Sequence, residues 1–104
     1  VSANGRKIVV IPYNIAGCHD YSTYSTARTP RDLLQIWKDQ FDYLYMEGER
    51  GFPKYFSINL HPFVSGVPYR SKVIDEFLQY IKGFPKVWFA RRIEIANWWL
   101  EKGY

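Results

Sequence analysis

Three short, mostly apolar runs stand out along the chain, at residues 7–11, 55–60 and 86–90. None shows the strict alternation of apolar and polar residues that marks a half-exposed strand. Runs of this kind, rich in β-branched and aromatic residues, are typical of strands buried on both faces of a parallel sheet. Pro12 and Pro62 follow closely after the first two runs, and proline cannot donate a hydrogen bond to a ladder. The pattern therefore predicts three buried strands.

Between and after these runs, apolar residues recur at helical spacing. The first helix is predicted to begin at Thr29-Pro30, where Thr29 can cap free amides, and to be ended by Gly48 and Gly51. The second is predicted from Pro68 to Gly83, and a short third helix from Ile93 to Gly103. Their apolar positions are Leu33, Leu34, Trp37, Phe41, Leu44 and Tyr45, then Val73, Ile74, Phe77, Leu78 and Ile81, then Ile93, Ala96, Trp99 and Leu100.

The predicted order is strand, helix, strand, helix, strand, helix, which indicates the α/β class. We predict three consecutive βα units with parallel strands, joined by right-handed connections. A three-stranded parallel sheet leaves two exposed edges. We therefore expect residues 1–104 to be a single domain that forms part of a larger (β/α) barrel or sheet, or that self-associates as a homo-oligomer.

The composition indicates a globular protein with a packed core. Hydrophobic residues make up 47% of the 104 residues and aromatic residues 19%, which is enough for a packed core. The single cysteine, Cys18, excludes an internal disulfide and a zinc site built from several cysteines. No apolar run approaches the roughly 20 residues of a membrane span, and no signal-peptide pattern is present. We expect a cytoplasmic protein without a membrane partner.

Positive charge is concentrated in one part of the chain. The formal net charge is +4, and residues 50–92 hold eight Lys or Arg against two acidic residues. The simplest explanation of this excess is that these Lys and Arg side chains lie on the solvent-exposed surface. The alternative is a small basic α/β binding module for nucleic acid or another polyanion. Because no dedicated platform of exposed aromatics accompanies the basic stretch, we rank a nucleic-acid partner well below a small-molecule or carbohydrate substrate.

Candidate chemical groups follow the predicted strands, at the edge where parallel α/β proteins bind ligands. His61 directly follows the second strand. It could act as a general acid or base near neutral pH, or it could cap the strand by bonding a backbone carbonyl. Residues 13–29 form a long polar connection after the first strand, and connections of this length are often functional.

Within this connection, Tyr13, Asn14, His19 and Asp20 are candidates for substrate binding. His19 and Asp20 could bind a metal or a polar ligand, but the two histidines lie 42 positions apart without metal-site spacing, so ordinary loop polarity is the simpler interpretation. We predict no metal site within this chain. Tyr13, Tyr21 and Tyr24 could hydrogen-bond or stack on a sugar or heterocycle, or cover the core.

Arg70 lies early in the second predicted helix, near His61. Its guanidinium could bind an anionic substrate, or it could form an ion pair with Asp75 or Glu76. The ion pair is the simpler of these two interpretations.

Several segments resemble the carboxyl-terminal part of the polysaccharide deacetylase (NodB-homology) family, and most of all its allantoinase-like branch. They are residues 11–14, 40–45, 52–53, 57–62, 66–70 and 86–96. The resemblance covers nearly the whole chain but only about the last third of a typical member. It implies a partial, distorted (β/α) deacetylase-type barrel from an enzyme that hydrolyses non-peptide C–N bonds in N-acetylated sugars or cyclic ureides.

The resemblance also implies roles for particular residues. The family carries its catalytic Asp pair and its His-x-x-x-His metal ligands on early strands, and neither motif occurs here. Its last motif is a strand ending in Leu-His, whose histidine protonates the leaving amine, and that role falls on His61. Tyr13, Asn14, His19 and Asp20 would line the substrate pocket. We therefore expect the isolated chain to be inactive and without a cofactor, while a divalent metal such as zinc would belong to the full-length protein.

Overall fold

The computed structural model describes residues 1–14 and 16–102. Most of the elements are helices, and the strands are short. In chain order the elements are β1 (Ser2–Ala3), β2 (Arg6–Lys7), a 3₁₀ turn (Ala16–Cys18), α1 (Asp20–Tyr24), α2 (Pro30–Glu49), α3 (Pro62–Ser65), α4 (Pro68–Lys82) and α5 (Arg92–Lys102). The chain divides into two compact units, one formed by Tyr13–Pro85 and the other by Val1–Pro12 with Lys86–Tyr104. The prediction of a single domain stays a prediction.

Helix α2 begins where its capping signal predicts. The Thr29 hydroxyl accepts a hydrogen bond from the Asp32 amide at 3.2 Å, and the Asp32 carboxylate accepts one from the Thr29 amide at 2.7 Å. This reciprocal pair is a capping box, with Asp32 in the third helical position. Gly48 lies inside the helix, whereas Gly51, at a φ of +97°, takes the left-handed conformation that follows many helix ends.

The core of the larger unit lies between α2 and α4. Trp37 and Phe77 are buried with their ring centroids 5.3 Å apart, and Phe41 meets Phe77 edge to face at 6.3 Å. The predicted apolar stripes are confirmed at the residues that are buried in the two helices, which are Leu33, Leu34, Trp37 and Phe41 in α2 and Val73, Phe77 and Ile81 in α4. Leu78 is 38% exposed and therefore lies at the edge of this core.

Polar contacts hold the exposed rims of the same helix pair. Arg31 forms an ion pair with Glu76, and the Tyr80 hydroxyl donates to the Asp42 carboxylate at 2.6 Å. This hydrogen bond to a carboxylate raises the pKa of Tyr80 to about 12. Because both contacts join α2 to α4 across about 40 residues of chain, they act with the core to hold one helix against the other.

The smaller unit contains a hairpin that the sequence patterns did not predict. Strands β1 and β2 pair antiparallel, and Asn4 and Gly5 between them both have positive φ. Two residues with positive φ form the tight turn that suits the twist of a two-stranded hairpin. Residues 1–5 are therefore partly ordered. Helix α5 agrees with the predicted third helix, and its predicted terminator, Gly103, lies outside the described residues.

The three predicted strands do not form a ladder among the described residues. Residues 8–11, 55–60 and 87–90 belong to neither a helix nor a strand. A ladder requires a neighbouring strand, and buried strands of a parallel sheet require covered faces. Here Val10 is 69% exposed and Trp88 is 58% exposed, so these apolar side chains lack that cover. The partial barrel of three parallel βα units stays a prediction.

Across residues 1–14 and 16–102, we find no helix with the length and apolar character needed to cross a membrane.

Candidate active site

His61 stands at the amino-terminal end of α3. It has an extended backbone, and Pro62 follows it as the first residue of the helix. Its side chain makes no capping hydrogen bond to the helix and is 47% exposed. The sequence left open whether His61 caps the predicted strand by bonding a backbone carbonyl or acts as a general acid or base. In the structure Nδ1 of its ring faces a side-chain partner instead of a backbone carbonyl.

That partner is Asp20, which is fully buried in the first turn of α1. The Nδ1 atom of His61 lies 2.7 Å from Oδ1 of Asp20. Three more groups donate to the same carboxylate, namely the His61 amide at 2.6 Å, the Ser65 hydroxyl at 2.8 Å and the Tyr21 amide at 2.6 Å. Four hydrogen bonds occupy the acceptor positions that a buried carboxylate needs to fill.

The chain on both sides of Asp20 is anchored to other elements. The indole N–H of Trp37 donates to the carbonyl of Cys18 at 2.8 Å, which ties the 3₁₀ turn to α2. The Asp20 amide donates to the carbonyl of Asn59 at 3.3 Å, and the Thr23 hydroxyl donates to the carbonyl of Gly17 at 3.0 Å. Asp20 is therefore held in position by the backbone as well as by its side-chain contacts.

The hydrogen bonds of this pair favour an ionised Asp20 with a proton on Nδ1 of His61. Burial alone would raise the pKa of Asp20, but the hydrogen bonds from His61, Ser65 and Tyr21 outweigh it and lower the pKa below its ordinary value of 3.8. An ionised carboxylate only accepts hydrogen bonds, so the Nδ1 atom of His61 carries a proton. The Nε2 atom makes no hydrogen bond to any residue in the described ranges, and it can take up or release a proton at the exposed side of the ring.

Asn14 joins two segments of the backbone near this pair. Its side-chain oxygen accepts from the Ser57 amide and, at 3.0 Å, from the Ser57 hydroxyl. Its side-chain nitrogen approaches the carbonyl of Tyr55 at 3.5 Å. Asn14 thus holds the segment that leads to His61. The predicted contact of Asn14 with substrate stays a prediction.

His19 and Tyr13 lie beside each other. The Nε2 atom of His19 is 3.1 Å from the carbonyl of Asn14, and the His19 and Tyr13 rings meet edge to face at 5.8 Å. The neighbours His19 and Asp20 therefore contact different groups: His19 contacts the Asn14 carbonyl, and Asp20 contacts the His61 ring. Tyr13 is 64% exposed. A role for either residue in substrate binding stays a prediction.

Among the described residues Arg70 forms neither of the predicted ion pairs, with Asp75 or with Glu76, and Glu76 pairs with Arg31 instead. Its guanidinium instead lies over the rings of Tyr24 and Tyr69, 4.5 and 5.3 Å from their centroids, and donates to the carbonyl of Val64 at 3.2 Å. These contacts fix α3 next to the start of α4. Arg70 thus supports the backbone beside Ser65, and binding of an anionic substrate by Arg70 stays a prediction.

Two neighbours of His61, Ser65 and Phe63, were not assigned to the site from the sequence, whereas Tyr21 was one of the tyrosines that could stack on a ligand or cover the core. Ser65 completes the set of donors to Asp20, and the rings of Tyr21 and Phe63 lie 5.9 and 5.5 Å from the His61 ring. Ser65 follows His61 by four positions, the spacing that brings two residues to one side of a helical turn. That spacing is the one sequence signal that could have indicated Ser65.

The residues at this site do not form a metal centre by themselves. In the part of the chain that the structure describes, no three His, Cys, Asp or Glu side chains come together in a group that could hold a metal ion. Asp20 is already saturated by four donors, and His19 is bonded elsewhere. No step of the chemistry below is therefore assigned to a metal held by this chain.

Two curated proteins are similar in sequence to this chain. The chain is 31% identical over 98 residues to a Schizosaccharomyces pombe protein named as a polysaccharide deacetylase, covering 93% of this chain and 31% of that protein. It is also 31% identical over 74 residues to the peptidoglycan deacetylase of Helicobacter pylori, covering 71% of this chain and 24% of that protein. No family model and no solved structure matches the chain.

The chain thus spans less than a third of the length of the curated relatives that it matches. Both matches extend over most of this chain, so the similarity is not confined to one motif. Both relatives are named as deacetylases, and this chain is similar to a part of each.

Proposed function

We propose that the chain is the carboxyl-terminal part of a deacetylase-type hydrolase that acts on non-peptide C–N bonds in N-acetylated sugars or cyclic ureides. The observation that carries this proposal is the contact of 2.7 Å between Nδ1 of His61 and the buried carboxylate of Asp20. The names of the two similar proteins support the class of reaction. Cyclic ureides are included because of the resemblance to the allantoinase-like branch.

In this proposal His61 is the general acid and Asp20 positions it. Protonated His61 donates the proton on Nε2 to the amide nitrogen as the C–N bond breaks, and the amine leaves as a neutral group. The carboxylate of Asp20 keeps a proton on Nδ1, orients the ring and places a negative charge beside the imidazolium. The water that attacks the carbonyl carbon needs a base, and this base is expected outside the chain.

The same proposal accounts for the predicted strands. Residues 7–11, 55–60 and 86–90 would become parallel strands when the remainder of a (β/α) barrel supplies their neighbours. His61 would then lie at the carboxyl end of its strand, the position at which such barrels carry out chemistry. The exposed apolar side chains Val10 and Trp88 are consistent with faces that need this cover.

The test is a pair of substitutions in a full-length protein that contains this chain. We expect His61→Ala to lower kcat by about a hundredfold or more, the range that general acid catalysis supplies. Asp20→Asn should lower kcat in the same direction with little change in KM, because it changes orientation and not substrate contact. Hydrolysis of chitin oligomers, peptidoglycan and allantoin is measured for each variant, with Asp75→Asn as the matched surface control.

Two results would contradict parts of the proposal. An unimpaired His61→Ala variant would remove the acid role from His61. Turnover of any of the three substrates by the purified 104-residue chain would show that its own residues suffice, and would overturn the expectation that the isolated chain is inactive.

A further inference from the structure

The single turn of α3 holds the Asp20 carboxylate from both of its ends. His61 stands directly before the first residue of the helix, and Ser65 is its last residue. The His61 amide and the Ser65 hydroxyl both donate to Oδ2 of Asp20, at 2.6 and 2.8 Å, while Nδ1 of His61 lies 2.7 Å from Oδ1. Three of the four hydrogen bonds to Asp20 therefore come from residues 61–65, which we call the α3 turn.

The backbone of the α3 turn is closed by its own hydrogen bonds. The Ser65 amide donates to the His61 carbonyl at 2.9 Å, and the Gly66 amide donates to the Pro62 carbonyl at 2.9 Å. A Cβ atom at position 66 would clash with the Pro62 carbonyl oxygen, so this tight exit from the turn requires glycine. The Ser65 hydroxyl is thus presented to Asp20 from a fixed backbone, which lowers the entropy cost of its hydrogen bond.

The two oxygens of Asp20 have different partners. Oδ1 accepts from the His61 ring and, at 2.6 Å, from the Tyr21 amide, whereas Oδ2 accepts from the His61 amide and the Ser65 hydroxyl. Ser65 is only 4% exposed, so solvent has little access to the place of its hydroxyl. Loss of this hydroxyl would leave Oδ2 with one donor in the interior, and the carboxylate would rotate more freely. Rotation moves Oδ1 away from the His61 ring.

We propose that Ser65 is a positioning residue of this site, whose hydroxyl locks Asp20 so that Oδ1 stays on Nδ1 of His61. The inference rests on the proposed function and deepens it, because Ser65 acts on the acid through Asp20. The hydrogen bond from Ser65 is one of those that lower the pKa of Asp20, which favours the ionised carboxylate that accepts from Nδ1. Hydrogen bonds to an ionised group are also stronger than those between neutral groups.

The first test measures how often this lock opens in the 104-residue chain, by hydrogen exchange at the His61 and Tyr21 amides, which both donate to Asp20. Ser65→Ala removes only the hydroxyl, and we expect both amides to exchange about tenfold faster, the effect of losing one hydrogen bond to a charged group. Ser71→Ala is the matched control, because the Ser71 hydroxyl donates to a backbone carbonyl of α4 at 3.0 Å. It should leave both exchange rates unchanged.

The second test measures hydrolysis of chitin oligomers, peptidoglycan and allantoin by a full-length protein that contains this chain. Ser65→Ala should lower kcat by about tenfold with KM unchanged, because Ser65 acts through Asp20 and not on the substrate. Ser65→Thr retains the hydroxyl and should restore kcat. A role of Ser65 in stability alone would not produce this separation of kcat from KM.

A second variant without a strong donor keeps the inference testable if Ser65→Ala disturbs the fold. Ser65→Cys has nearly the same size and a weak S–H donor, and it should act in the same direction. The NMR signal of the Trp37 indole N–H, which is bonded within the core, shows whether the fold is kept.

Two results would overturn the inference. One is an unchanged exchange rate at the His61 and Tyr21 amides in the folded Ser65 variants, and the other is faster exchange without a loss of kcat. An unimpaired His61→Ala variant would instead remove the acid role and leave the exchange result as it is, so the two failures are distinguishable.

Discussion

At the scale of single residues, the site consists of the buried carboxylate of Asp20 and the four groups that donate hydrogen bonds to it. Burial of the ionised Asp20 carboxylate without hydrogen-bond partners would cost free energy, because a charge is transferred out of water. His61 supplies two of its four hydrogen bonds, through the backbone amide and the ring. The proposed acid role of His61 and the local stability therefore depend on the same contacts, and a change at Asp20 should affect both.

The first prediction concerns the pH dependence of stability. The pKa of Asp20 is lower in the folded chain than its ordinary value of 3.8, so the unfolded chain binds more protons in the window just below that value. The stabilisation by Asp20 is thus complete above about pH 4 and is lost as the pH falls through the folded-state pKa. We expect Asp20→Asn to lower the free energy of unfolding at pH 7 by about 2–3 kcal/mol and to flatten its acid dependence.

Urea denaturation at pH values from about 7 down to about 3 measures this effect. Asp75→Asn is the matched control, since Asp75 is an exposed carboxylate on α4. An Asp20→Asn variant that keeps the full acid dependence of the unchanged chain would contradict the assignment of Asp20 as the stabilising carboxylate.

At the scale of elements, local signals predicted the two long helices well. Thr29, Pro30 and Asp32 form the start of α2 through contacts within four residues of one another. The apolar stripe of α4 is likewise set by helical period alone. The short helix α1 was not predicted, because five residues carry too little periodicity to be distinguished from a polar loop.

The second prediction tests the pairing of α2 with α4. Phe77 is 2% exposed and its ring meets those of Trp37, Phe41 and Phe56. Phe77→Ala should lower the free energy of unfolding by about 3–5 kcal/mol, because it removes buried surface and leaves a cavity. Tyr43→Ala, at an exposed position of α2, should change it by less than about 0.5 kcal/mol. Equal losses in the two variants would show that the core does not lie between these helices.

At the scale of the whole molecule, the apolar segments predicted as strands remain without a ladder among the described residues. Val10, Trp88 and Phe89 are 69%, 58% and 54% exposed. Surface of this kind in a soluble chain tends to be covered by another part of a protein or by another copy. In the proposed barrel this cover would come from further strands, and for the isolated chain we expect it to come from self-association.

The third prediction is therefore that the isolated 104-residue chain self-associates. We expect dimers or larger species at micromolar concentration by light scattering, with the apolar segments buried in the contact. Trp88→Glu and Phe89→Glu should shift the chain toward monomers, since a charge opposes burial. Tyr43→Glu serves as the matched control and should have no effect. A chain that is monomeric throughout the micromolar range would count against the prediction.

The sequence by itself determined the features that depend on near neighbours. These are the starts of α2 and α4 and the apolar stripes that pack the two helices together. The tertiary structure decided which residues meet His61. Asp20 and His61 are 41 positions apart, and no local rule of spacing joins them. Their contact arises because Trp37 holds the turn before α1 and the Asn59 carbonyl accepts a hydrogen bond from the Asp20 amide. Long-range packing therefore brings Asp20, which the sequence placed in a polar connection, next to His61.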